Sequence, residues 1–143
     1  MTSNNQQQAA ALTEAQTNEW LRQQFQKANL HLAEQGIVMD NVAVNESRYV
    51  APYVAVWKIN ALNRKSYWVI SGEVPVDFLE VSAAADARES LRAFSLRWQM
   101  KAQQLIDAGV QDQTATGYIQ LLVNSAHSLY DLFESEKLWG SAV

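Results

Sequence analysis

Apolar positions recur along this chain with two different periods, and the changes of period divide it into elements. Between Ser82 and Gly109, residues Ala84, Ala87, Leu91, Phe94, Trp98, Ala102 and Leu105 follow the i, i+3, i+4, i+7 spacing that gathers side chains on one face of a helix. The spacing predicts a helix over 83–108. Ser82 is its expected N-cap, Asp86 suits the positive end of the helix dipole, and Gly109 tolerates the left-handed conformation that ends a helix. Ala93, Leu96 and Met100 form a second apolar stripe almost opposite the first. Two stripes predict a helix covered on both sides.

The same helical period returns over 13–35 and 116–133. In the first, Thr13 and Gln16 have capping-box spacing, Leu21, Phe25, Ala28 and Leu32 form the stripe, and Gly36 with Ile37 supplies the stop. In the last, Ile119, Leu122, Val123, Ala126, Leu129, Tyr130 and Phe133 fall on one side. That helix is expected either on the second stripe of the long helix or against the first helix.

Tyr53 to Gly72 changes to strand chemistry, with β-branched and aromatic residues in YVAVWKINAL and SYWVIS. A two-residue turn at Asn63-Arg64 pairs Ile59 with Trp68 and Trp57 with Ile70; Asn-Arg is a weak turn signal, and a longer loop is the alternative that would exchange the faces. With the two-residue turn, the core face is Ala55, Trp57, Ile59, Trp68 and Ile70, set on the long helix. Val54, Val56, Lys58, Asn60, Tyr67 and Val69 are left on the other side. A lone hairpin is marginal, so either a third strand from 42–50 or 78–81 or another subunit is expected to join it, and Pro75 marks the crossover to the helix. The pattern is α+β: a small antiparallel sheet packed on a long helix, with the first and last helices completing one core.

Composition narrows the function classes. With 143 residues, 48% apolar and 18% charged, the chain suits one globular domain over 12–139, with a disordered N-terminal tail expected at 1–11 and a short C-terminal tail at 140–143. A net charge of −4 argues against a nucleic-acid footprint, which would require Arg97, Lys101, Lys58 and Arg64 to line up. The absence of cysteine excludes disulfides and thiolate chemistry, and no apolar run is long enough to span a membrane. MTSNNQQQAAALTEAQ lacks the basic and apolar regions of a signal peptide, so the cytoplasm is the expected location.

Candidate chemistry is sparse. The two histidines, His31 and His127, sit on different helices without carboxylates at metal-ligand spacing. The glycines stand singly, so neither a phosphate loop nor a dinucleotide fingerprint is present. No catalytic residue, metal or cofactor is assigned. A polar cluster near the hairpin and the start of the long helix, Arg48, Tyr49, Tyr53, Arg88 and Arg92, has the chemistry to hold a carboxylate or phosphate. The favoured reading of the same arginines is structural: ion pairs with Glu46, Asp77, Glu80 or Glu89 that hold the hairpin against the helix. Five tryptophans are many for such a chain, and any that are exposed would mark a partner surface.

The run ESRYVAPYVAVWKINALNRKSYWVISGEVPVDFLEVSAAADARESLRAFSLRWQMKA, Glu46 to Ala102, resembles the central block of a family of small bacterial proteins described only as a domain of unknown function. EWLRQQFQKANLHLAEQGI and LYDLFESEKLW extend the resemblance over most of the chain. It implies a bacterial, soluble, stand-alone protein and brings no activity or site residue with it.

The function expected is therefore a non-enzymatic binding or interaction domain. Its half-apolar hairpin face, Val54, Val56, Tyr67 and Val69, would recruit a second copy or a protein partner, with no role for nucleic acid or membrane. The alternative is a small-anion or metabolite-binding domain, enzymatic or not, built on the arginine and tyrosine cluster.

Overall fold

The structure is a computed structural model that describes residues 12–139; the tails expected at 1–11 and 140–143 lie outside the described residues. Helix α1 (Glu14–Glu34) leads into strands β1 (Met39–Val42), β2 (Arg48–Val50), β3 (Val54–Ala61), β4 (Ser66–Gly72) and β5 (Asp77–Glu80). Helices α2 (Ala87–Asp107), α3 (Gln113–Glu134) and the short α4 (Glu136–Trp139) follow. The protein is α+β, as the sequence pattern predicts. All strand pairs are antiparallel, in the order β1-β3-β4-β5, with β2 also pairing with β3. Both segments considered for a third strand thus join the sheet.

The helix ends follow from local chemistry. Thr13 and Gln16 form the reciprocal capping box that their spacing predicts, at 3.0 and 2.9 Å. Gly36 takes φ 79°, and the Ile37 amide donates back to the Leu32 carbonyl at 2.9 Å, so the chain turns at the expected place. The start of α2 is corrected. Val81–Ala83 is a 3-10 turn, and Asp86, not Ser82, caps the helix by accepting from the Glu89 amide at 2.8 Å. A carboxylate N-cap adds dipole stabilisation to the hydrogen bond, which a serine does not match. Asp112 likewise caps α3 through the Ala115 amide, which brings its start ahead of Thr116.

The hairpin register is the larger correction. Ile59 pairs with Tyr67, Trp57 with Val69 and Lys58 with Trp68. The loop is Leu62-Asn63-Arg64 rather than Asn63-Arg64 alone. The Arg64 amide donates to the Ala61 carbonyl at 3.1 Å, Arg64 adopts φ 71°, and the Ala61 amide donates to the Lys65 carbonyl at 2.9 Å. This is a type I turn closed by a left-handed residue. Asn63 holds it from inside, accepting from the Lys65 amide at 2.8 Å and donating to the Tyr67 hydroxyl at 2.9 Å. One extra loop residue exchanges the two faces of one strand relative to the other.

The sheet is consequently buried on both sides. Ala28 and Leu32 of α1 pack with Ile59, Ala61, Tyr67 and Val69 on one face. Phe94 and Trp98 of α2, with Leu122, Ala126 and Leu129 of α3, pack with Val54, Val56, Trp68 and Ile70 on the other. The proposed interaction face therefore does not exist as an open surface. Val54, Val56, Tyr67 and Val69 are 3%, 3%, 4% and 0% exposed, and they divide between the two cores. α3 covers neither the second stripe of α2 nor α1. It lies beside α2 on the same side of the sheet, where Ser95 Oγ donates to the Ala126 carbonyl at 2.8 Å.

At the other end of the hairpin, Gly72 has φ 134° and pairs with Val54; a Cβ there would meet the Tyr53 carbonyl oxygen at 2.2 Å. Gly72→Ala is therefore expected to lower stability by at least about 3 kcal/mol, measured by denaturant unfolding. Arg64→Gly relieves the left-handed strain in the opposite loop and is expected to raise stability by about 0.5–1 kcal/mol in the same measurement.

Candidate functional site

The five residues proposed as an anion cluster do not assemble. Tyr49 lies on the α1 side, its ring 6.5 Å from that of Trp20. Tyr53 lines a different cavity with Glu73 and Asp131. Arg92 is exposed and faces Glu89 at 3.6 Å. Arg88 turns the other way: its Nε donates to the Phe133 carbonyl at 2.8 Å and its Nη2 to Glu136 at 3.1 Å. Arg48 shares one cavity with Arg88, between β2 and the first turn of α2, and a smaller recess with Tyr49. The cause is the strand period. Arg48, Tyr49 and Val50 are consecutive, so Arg48 and Tyr49 point to opposite faces of the sheet.

None of the five tryptophans is exposed. Trp68 and Trp98 are 1% accessible, and Trp20, Trp57 and Trp139 are partly covered. His31 lies edge-on to Phe78 at 5.8 Å, while His127 faces solvent. Among the described residues no group of three or more His, Cys, Asp or Glu side chains has metal-binding geometry. On the outer side of α1 a hydrogen bond from Arg22 holds the Glu19 carboxyl below the ordinary carboxylate value. No described helix is long and apolar enough to cross a membrane.

An open apolar surface in a concave setting lies on α2. Leu96 is 58% and Met100 55% exposed, and with Ala93 they are the second stripe that the sequence predicts to be covered. Opposite them stands the edge strand β5, contributing Leu79, and the 3-10 turn, contributing Ala83. Together they enclose a groove of about 570 Å³, rimmed by Arg97, Lys101 and Gln104. Asp77 fixes its wall. One carboxylate oxygen accepts from the Trp98 indole at 2.9 Å and from Arg97 Nε at 3.1 Å, tying β5 to α2. Lys101 lies 5.4 Å from the ring of Tyr118, which keeps its ammonium at the rim. Sequence reasoning found this stripe but assigned it to the core, because i, i+3, i+4 spacing looks the same whether or not anything sits on it.

Residues 14–139, from the first turn of α1 to the end of α4, match the family model described as Domain of unknown function (DUF4826). The chain belongs to the DUF4826 family. The resemblance carried by Glu46 to Ala102 thus extends over every described element. Comparison with curated proteins and with solved structures finds no match. The DUF4826 description names no activity, so the function rests on the groove and cavities themselves.

Because Asp77 is the polar link between groove wall and groove floor, Asp77→Ala is expected to cost about 1–3 kcal/mol by leaving the buried Trp98 indole without an acceptor. Asp77→Asn, which keeps an acceptor, is expected to cost less. Thermal unfolding of the two variants side by side measures the difference.

Proposed function

We propose that this DUF4826 chain is a non-enzymatic binding domain that seats an acidic, amphipathic segment of a partner protein in the α2 groove. The observation that carries the reading is the exposure of Leu96 and Met100 in a concave setting, where an apolar stripe faces an edge strand across a groove. Helix-in-groove recognition uses such a stripe, with anchors at helical spacing. The rim supplies the sign of the partner. Arg97 and Lys101 border the groove although the chain as a whole carries −4, and complementary charge sets partner choice and encounter rate. A second copy fits less well. Antiparallel two-fold packing of α2 on its copy brings like flanks together, Arg97 and Lys101 against the same residues. The partner thus moves from the hairpin face, which is buried, to α2. A cytoplasmic, bacterial setting belongs to the same proposal and is supported by the cysteine-free composition and the family resemblance.

The test combines light scattering with titration of a panel of amphipathic helical peptides, acidic, neutral and basic, followed by calorimetry. The purified protein is expected to be a monomer that binds acidic members of the panel, more weakly as salt rises. Leu96→Glu combined with Met100→Glu is expected to abolish that binding while changing stability by no more than about 0.5 kcal/mol, since both side chains are exposed. A dimer that the double variant dissociates would replace the partner by a second copy. A monomer that binds no peptide, or binds basic ones equally, overturns the reading.

A further inference from the structure

A second cavity, at the opposite flank of α2 from the groove, has a different chemistry. About 380 Å³ of space lies between Arg48 of β2, the first turn of α2 at Asp86–Arg88, and Trp139 of α4. Behind it, and sharing Arg48, Leu138 and Trp139, is a smaller recess of about 60 Å³ floored by Val50, Val56 and Leu91. By volume the recess has room for roughly two waters, or for the last two or three carbons of a short acyl chain whose remainder lies in the larger space. The two spaces together form a polar mouth with an apolar interior.

Arg48 is the polar group that fits a ligand there. Its Nη1 donates to the carbonyls of Asn45 and Ser47, both at 2.7 Å, which fixes the guanidinium. Its Nε and Nη2 make no hydrogen bond among the described residues, and no described carboxylate pairs with it. That free edge carries the two parallel N–H groups that bind a carboxylate bidentately. Arg88 is already committed to Phe133 and Glu136, and its guanidinium lies over the rings of Phe133 and Trp139 at 5.4 and 5.9 Å. It braces the Trp139 wall rather than gripping a ligand. The Trp139 indole is itself held by the Leu132 carbonyl at 2.8 Å.

Charge decides which class of ligand suits the mouth. The charged residues that line the mouth are Arg48 and Arg88 against Glu46 and Asp86; Glu46 is paired with Lys58 at 2.8 Å, and Asp86 is engaged in capping α2. Two positive and two negative lining groups do not build the concentrated positive field that a phosphate or a polyanion calls for. A single carboxylate gains from the fixed geometry of one guanidinium, and the rest of its affinity must come from apolar burial. We propose that this cleft binds a small amphipathic monocarboxylate, its carboxylate on the free edge of Arg48 and the end of its apolar body in the recess behind Trp139. The proposal does not depend on the groove reading, which concerns another flank of α2.

Butanoate, hexanoate and octanoate, each with the matched alcohol, and inorganic phosphate are the probes, titrated into the whole protein. Binding is read from the indole N–H resonances of all five tryptophans. Hexanoate is expected to shift Trp139 and Trp68 and to leave Trp20, on the opposite face of the sheet, unmoved; hexanol and phosphate are expected to shift none. Arg48→Met is expected to weaken hexanoate by about tenfold or more, with Arg48→Lys intermediate. The wild-type titration stands by itself if Arg48→Met fails to fold. The proposal is overturned if no carboxylate shifts Trp139, if hexanol or phosphate binds as well as hexanoate, or if Arg48→Met folds and binds unchanged. It is also overturned if every tryptophan responds in proportion to chain length, which is the signature of adsorption.

Discussion

The register between β3 and β4 is the constraint on which the rest of the structure depends. It is set at one end by the left-handed residue Arg64, which lengthens the loop by one position. At the other end it is set by Gly72, whose missing Cβ lets the Tyr53 carbonyl pass close by. With the register fixed, Trp68 and Ile70 join Val54 and Val56 beneath α2 and α3, while Tyr67 and Val69 join Ile59 beneath α1. A slip of one residue would mismatch every one of these side chains with its helix.

Burial on both faces explains the distribution of open surface. A sheet covered on one side exposes half its side chains, and a hairpin of this composition would then offer Val54 and Tyr67 to a partner. Here α1 on one side and the α2–α3 pair on the other leave the strands nothing to offer except edges. The proposed recognition surfaces lie on the flanks of α2. One flank keeps the uncovered stripe of Leu96 and Met100 beside β5, and the other, with α4, closes over Arg48. Asp77 and Arg88 have parallel roles. Each carries a polar side chain across an element boundary, Asp77 from β5 to Trp98 and Arg88 from α2 to the end of α3, and each thereby shapes the wall of a cavity.

Much of the molecule was legible in the sequence. Helix positions followed from apolar spacing, the α1 cap and stop from Thr13, Gln16 and Gly36, and the hairpin from β-branched and aromatic runs. These signals are local: each is read by residues within about one turn of one another. The start of α2 was misplaced because Ser82 and Asp86 both have capping chemistry, and the choice depends on how far β5 extends. The unbroken apolar character of YVAVW and YWVIS was itself a sign of burial on both faces, since a sheet with a wet side alternates more cleanly.

The sequence by itself determined the elements, their polarity and the absence of metal-binding, thiolate and phosphate-loop motifs, because these depend on residue type and short spacing. The tertiary structure alone decided which apolar stripe is core and which is open. It also decided that the Tyr49 ring turns toward α1, and that Arg48 meets Trp139 across most of the chain. Those outcomes turn on a single loop residue and on the side of the sheet to which each helix returns. Neither leaves a periodic trace in the sequence, since a stripe of Ala93, Leu96 and Met100 has the same spacing under a neighbouring helix as it has in water.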